Sequence, residues 1–224
     1  MAERASGGIY VLAGCNGAGK SSIAGAALRE AGLDFYDPDR AARALVPGQP
    51  TQAAANALSW NHGRRLLERA IEQRGTFAFE TTLGGTTITA LLQHAIAVGL
   101  PVHVWFVGLA SVDLHIARVK RRVAKGGHDI PIDTIRRRYV AGPANLVTLL
   151  PGLRQLYAYD NSTEGDPDLG KAPSPTLVMH AANRRIVAPR SVRGLLAGTP
   201  GWAKPIVAAS LKLHLRAAQD RKRG

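Results

Sequence analysis

The 224-residue sequence predicts an α/β fold around a mainly parallel central sheet, and three observations carry that prediction. Strand-like apolar runs alternate with helix-like runs along most of the chain, as a parallel sheet with crossover helices requires. The first apolar run, Ile9 to Ala13, leads straight into Gly14-Cys15-Asn16-Gly17-Ala18-Gly19-Lys20-Ser21, which fits G-x-x-x-x-G-K-[ST], and a helix-forming run follows from Ser22 to Glu30. Polar residues recur at the ends of successive strand-like runs, where open parallel sheets bind ligands.

The elements follow in order. Leu33 to Asp37 reads as a second strand, stopped by Pro38, so Asp37 and Asp39 belong at its C-terminal end. A short helix runs from about Asp39 to Leu45, Pro47-Gly48-Gln49-Pro50 is a loop, and Thr51 to Arg74 is a long helix ended by Gly75. Thr76 to Glu80 is a buried strand with a carboxylate at its tip, followed by a Thr/Gly loop from Thr81 to Thr87. Ile88 to Val98 is a helix, Val102 to Val107 the clearest buried strand, and Val112 to Lys125 a strongly basic helix broken by Gly126-Gly127. Asp133 to Leu150 is a helix expected to be interrupted or bent at Gly142-Pro143, and Leu156 to Asp160 a last core strand before turn-rich residues 161–170. From 171 the character changes. Thr176 to His180 and Ile186-Val187 pair as a hairpin around Ala182-Asn183-Arg184, and Ala203 to Lys222 is a basic helix. The chain therefore divides into a core, 1–170, and a C-terminal segment, 171–224, packed on it.

Composition narrows the function classes. No apolar run reaches 18 residues and the first residues lack the apolar stretch of a signal peptide, so neither a membrane span nor secretion is expected. Cys15 is the single cysteine, which excludes an internal disulfide and makes a reducing cytoplasm the default. The net charge is +13, and residues 118–138 hold eight Lys/Arg against two acids. Few aromatic residues are interleaved with these basic clusters, so a single-strand stacking platform is not evident. Phosphate handling is the better account, with nonspecific nucleic-acid binding as a by-product of charge.

The glycine loop between strand and helix is a phosphate cradle. Gly14, Gly17 and Gly19 permit the tight turn, and backbone N–H groups through Asn16, Ala18, Lys20, Ser21 and Ser22 would face an ATP phosphate chain at a helix N-terminus. Lys20 reaches the β/γ-phosphates and the Ser21 hydroxyl holds Mg²⁺. Phosphoryl transfer further needs a base for the acceptor and cations to spread the charge. Asp39 is the candidate base, although Asp at this position could instead cap the following helix. Glu80 stands where such folds often keep an acid, to hold Mg²⁺ through water or to bind substrate hydroxyls, and Thr82 is a further substrate contact. Arg118 and Arg122, one turn apart on a helix, and Arg138 from Arg136-Arg137-Arg138 are the candidate cations of a mobile lid at about 118–138. His128 is a loop residue that could touch phosphate.

The ordered set Gly14–Ser21, Asp37-Pro38-Asp39, Phe77-Ala78-Phe79-Glu80-Thr81-Thr82, Gly126-Gly127-His128-Asp129-Ile130-Pro131, Ile135-Arg136-Arg137-Arg138-Tyr139 and Tyr159-Asp160-Asn161-Ser162 resembles the zeta-toxin family of P-loop kinases, over roughly residues 8–163. The resemblance implies a P-loop NTPase three-layer sandwich, shikimate- or adenylate-kinase-like, with a helical lid. It also implies ATP/Mg²⁺-dependent phosphorylation of a small molecule, UDP-N-acetylglucosamine in the well-studied members, and a small antitoxin protein that occludes the ATP site. The family's P-loop Lys and Ser fall on Lys20 and Ser21, its catalytic Asp on Asp39, its acid after the third strand on Glu80 and its substrate-binding Thr on Thr82. The family commonly carries an Arg soon after the Glu-x-Thr segment. Leu83 to Thr87 has none, so phosphate contacts are expected from elsewhere. Two other readings stand beside this one: an antibiotic or metabolite kinase without a toxin role, and a nucleic-acid-associated ATPase or polynucleotide kinase.

Overall fold

The computed structural model describes residues 7–21, 23, 32–45, 51–127, 129–163 and 175–223. Six strands form one sheet: β1 (Ile9–Ala13), β2 (Phe77–Thr81), β3 (Val102–Gly108), β4 (Gln155–Asp160), β5 (Thr176–Ala182) and β6 (Arg185–Ala188), in the spatial order β2-β1-β3-β4-β5-β6. The first four are parallel, and β5 and β6 continue the sheet antiparallel. Seven α-helices are described: α1 (Pro38–Leu45), α2 (Gln52–Glu72), α3 (Thr86–Ala97), α4 (Val112–Ala124), α5 (Ile132–Leu149), α6 (Val192–Ala197) and α7 (Lys204–Arg223). None is long and apolar enough to cross a membrane.

Side-chain alternation along the strands builds the core. Ile9, Val11, Val104, Phe106, Leu156, Ala158 and Met179 face one side, where Leu67 and Ile71 of α2, Leu92 of α3, Leu146 of α5 and Ile206 of α7 bury them. On the other side Leu12 and Ala78 pack with Tyr10, Leu33, Phe35 and Trp105. A third cluster, Cys15, Val119, Ile130 and Ile135, roots α4 and α5 against the glycine loop. Trp105 is only half-buried on its sheet face, whereas Trp202 is buried.

Three local expectations are corrected. Leu33–Asp37 is not a strand: only Tyr36 pairs, bridging to Phe79 on the free edge of β2. Tyr36 N–H donates to the Ala78 carbonyl and Glu80 N–H to the Tyr36 carbonyl, and the chain then leaves the sheet because Asp37 turns to cap α1. The helix is not interrupted at Gly142-Pro143: α5 runs through both residues. Both are buried, and Gly142 lets the helix approach the Thr82 carbonyl, where a Cβ would come within 3.2 Å, so packing overrides the cost of an interior proline. A short helix, α6, lies where no element was expected. The C-terminal hairpin forms with Asn183 and Arg184 at positive φ, the backbone of a two-residue turn between right-twisting strands. The helix after the glycine loop, the loop at 47–50 and His128 lie largely or wholly outside the described residues.

Candidate phosphoryl-transfer site

The glycine loop leaves β1 at the C-terminal edge of the sheet. Gly14 has φ +139° and lies so close to β3 that a Cβ would stand 2.2 Å from the Val107 carbonyl oxygen. Gly19 has φ +84°, and a Cβ there would meet the Asn161 amide at 2.6 Å. Both positions need glycine on conformation and on space. The loop is tied down from three sides. His115 of α4, buried, holds the Asn16 carbonyl through Nδ1 at 2.8 Å. Asn161, just beyond β4, donates to the Ala18 carbonyl at 2.9 Å. Arg138 of α5 donates to the Asn16 side-chain oxygen at 2.9 Å.

These ties have electrostatic consequences. Burial lowers the His115 pKa to about 4, only partly opposed by its bond to the Asn16 carbonyl, so the ring is neutral at pH 7 and donates from Nδ1. Burial pushes the Cys15 thiol up, so this buried group is a thiol rather than a nucleophilic thiolate, and its Sγ contacts the Ile135 carbonyl at 3.5 Å. Burial also draws the Arg138 guanidinium below its usual value. Arg138 passes over Gly84, where a Cβ would come within 2.6 Å of its side chain. An arginine from α5 thus stands against the loop that itself lacks a basic residue.

Lys20 is buried, donates to the Cys15 carbonyl at 3.4 Å and pairs with Glu80 at 3.3 Å. Ser21 donates to the other Glu80 oxygen at 2.5 Å. Glu80 at the end of β2 therefore stands against both residues expected at the phosphates and the metal. The two aspartates divide their roles. Asp37 Oδ1 accepts from the N–H groups of Asp39 and Arg40 and caps α1, with Pro38 in the first turn. Burial, then the Glu80 charge, pushes the Asp37 carboxyl up. Asp39 is left to the cavity, 3.7 Å from Arg122 Nη1. Arg118 donates to the Asn161 carbonyl at 2.8 Å. Thr82 lines the cavity while accepting from Gly84 N–H at 3.4 Å.

One cavity of about 1180 Å³ brings these groups together. Asn16, Lys20, Asp39, Glu80, Thr82 and Arg138 all line it. Arg118 and Arg122 instead line a separate basic cleft of about 550 Å³ with Arg43, Arg121 and Lys125. Gly14, Gly17, Ala18 and Gly19 form the loop itself, and Ser22 lies outside the described residues. Asn161 stands in the Tyr159–Ser162 segment singled out by sequence, but without a role there; His115 was missed, and nothing near it in sequence marks it.

The residues fit a nucleoside triphosphate. The Gly14 and Gly19 cradle would be filled by any Cβ, and the buried Asn161 Oδ1 accepts no hydrogen bond among the described residues. Ser21 and Glu80 offer the oxygen atoms that Mg²⁺ takes. Among the described residues no group of three or more His, Cys, Asp or Glu could hold a metal, so such an ion would draw ligands from phosphates and water as well.

No family model matches the chain. An uncharacterized protein of Haemophilus influenzae is 34% identical over 129 residues, covering 56% of this chain and 88% of that protein. Among solved structures, the AvrRxo1-ORF1:-ORF2 complex with ATP superposes with a TM-score of 0.65 at 16% identity, covering 88% of this chain. This chain spans 64% of that chain's length. The PezAT chromosomal toxin–antitoxin system of Streptococcus pneumoniae gives a TM-score of 0.50 at 16% identity, covering 70% of this chain and 69% of that one. These likenesses show that the chain shares the fold of those two proteins.

Proposed function

We propose that this chain, which belongs to the same family as the Haemophilus influenzae protein and has the fold of a zeta-toxin-like P-loop kinase, is an ATP/Mg²⁺-dependent phosphotransferase acting on a small-molecule alcohol. The observation that carries the reading is the convergence of Lys20, Glu80, Asp39 and Arg138 on one large cavity beside the glycine loop.

The loop amides and Lys20 bind the phosphate chain of ATP. Ser21, with Glu80 beside it, supplies ligand oxygens for Mg²⁺, which would neutralise charge on the phosphates. The acceptor hydroxyl attacks the γ-phosphorus as the bond to the β,γ-bridging oxygen breaks. Asp39 takes the hydroxyl proton, and ADP leaves with the bond electrons. Arg138 from α5, which lines the cavity, spreads the developing negative charge, and Arg122 of α4, 3.7 Å from Asp39, is the nearest cation of the neighbouring cleft that could join it. The Arg122–Asp39 contact is long and partly exposed, so its loss on substrate entry costs little. Arg138, Glu80 and Thr82 hold the acceptor, for which a nucleotide sugar of the UDP-N-acetylglucosamine kind, or a related metabolite, is the proposed class.

The likeness to AvrRxo1-ORF1:-ORF2 and to PezAT supports a small antitoxin-like protein as the partner to seek, and the cytoplasm is the proposed compartment. The test is Asp39→Asn beside the wild type, with radiolabelled ATP and a panel of acceptors. ATP binding is retained and transfer falls by about 10²–10⁴. Transfer at the wild-type rate rejects Asp39 as the base and moves the search to Glu80.

A further inference from the structure

The cavity of about 1180 Å³ extends from the glycine loop, at Asn16 and Lys20, to a far wall. Its wall away from the glycine loop is aromatic. Tyr36, Phe79 and Trp60 line it, together with Arg64 and Asn56.

That wall is built rather than incidental. The Tyr36 hydroxyl donates to the Ser59 carbonyl at 2.7 Å and lies 2.9 Å from Ser59 Oγ, which in turn bonds the Pro38 carbonyl at 2.7 Å. Gly63 brings α2 against the Tyr36 ring, where a Cβ would stand 2.6 Å away. The ring is therefore held with its polar end already satisfied. Trp60 lies one helical turn from Arg64 on α2. Arg64 places its guanidinium 6.0 Å from the indole centroid and is itself ion-paired to Glu68. Trp60 remains 43% exposed and lines the cavity. A large indole that stays half-exposed, fixed by a neighbour whose charge is already matched, is a surface for stacking. Arg136 and Arg137 line the same cavity beside Arg138, so one molecule can meet both the aromatic wall and the cations.

We infer that Trp60, backed by Arg64 and flanked by Tyr36, is the stacking subsite for the planar heteroaromatic base of a nucleotidic acceptor, whose phosphates meet Arg136, Arg137 and Arg138. Trp60 is thus a specificity-determining residue, and base-free sugar phosphates are poor acceptors. The inference rests on the kinase reading above for the identity of the cavity as the acceptor site.

The experiment uses the full chain with the donor site saturated by a non-hydrolysable ATP analogue. UDP-N-acetylglucosamine and N-acetylglucosamine 1-phosphate are titrated by calorimetry into wild type, Trp60→Ala and Trp60→Phe, with circular dichroism checking the fold of each. Trp60→Ala weakens the nucleotide sugar by about tenfold or more and Trp60→Phe by only about threefold, while the base-free sugar phosphate binds weakly and alike to all three. The proposal is overturned if Trp60→Ala binds the nucleotide sugar as wild type does, or if both ligands lose equally. Should Trp60→Ala unfold, Trp60→Phe decides, because equal weakening of both ligands by that variant has the same overturning force. Failure of the ATP analogue itself to bind would bring down the kinase reading and this subsite together. Binding of the analogue without base dependence would bring down the subsite alone.

Discussion

Asp37 and Asp39 show how two like residues acquire different work. Pro38 between them forces the chain out of the sheet, so the first carboxylate caps α1 and the second faces the cavity. That division was only partly legible: the sequence left open whether Asp39 would cap the helix, and the cap falls to Asp37. His115 and Asn161 were not legible as anchors of the glycine loop, since the carbonyls they hold lie 99 and 143 residues away. His115 makes a testable pH dependence. Its folded pKa of about 4 lies below the ordinary 6.5, so the unfolded chain binds its proton first as pH falls. Its contribution is therefore complete above about pH 6.5 and is lost progressively as pH drops toward 4, at most on the order of 3 kcal/mol. Urea denaturation between pH 7 and 4.5 reads this loss in the wild type. His115→Gln, which keeps a donor but does not titrate, flattens that part of the profile, and an unchanged slope in the variant assigns it to other groups.

Among elements, the glycine loop and the parallel strands were readable from local pattern. The run at 33–37 was not, because its outcome was set by packing: Tyr36 finds only one pairing position on the edge of β2. Helix α5 was readable, but its continuity through Gly142-Pro143, which pack against the Thr82 carbonyl and Phe106, was not. The loop gives the prediction at this scale. Gly19→Ala places a methyl group against the Asn161 amide, in a backbone region that alanine disfavours. ATP-analogue binding falls by at least about tenfold while circular dichroism stays close to wild type, a strain of roughly 1–3 kcal/mol being local. Wild-type affinity in this variant would mean that the loop does not hold the phosphates in the described conformation.

For the whole molecule, the C-terminal hairpin and helix are part of the architecture around the site. β5 pairs with β4, and Met179, Trp202, Ile206 and Val207 belong to the main core. Trp202 stacks on Phe106 at 5.5 Å, fills the space left by Gly108, and donates to Asp160 at 2.7 Å. Asp160 directly precedes the Asn161 that holds the glycine loop. Its other carboxylate oxygen accepts from Ser162 N–H, so the residues after β4 are braced from the C-terminal segment. Hairpin and helix were visible in sequence as separate pieces. Their docking onto β4 was not, since no local pattern encodes a partner strand. Trp202→Phe keeps the stacking and removes the bond to a carboxylate, which should cost roughly 1.5–3 kcal/mol in thermal or urea denaturation and weaken ATP-analogue binding. Unchanged stability would show that Asp160 is satisfied without it. The central claim, phosphoryl transfer from ATP to an alcohol, is tested most directly by ³¹P NMR of the protein with ATP, Mg²⁺ and UDP-N-acetylglucosamine, beside Lys20→Ala. The account predicts a new phosphomonoester resonance growing in step with ADP in the wild type and absent from the variant. ATP left unconsumed by the wild type, or consumed equally by Lys20→Ala, would contradict it.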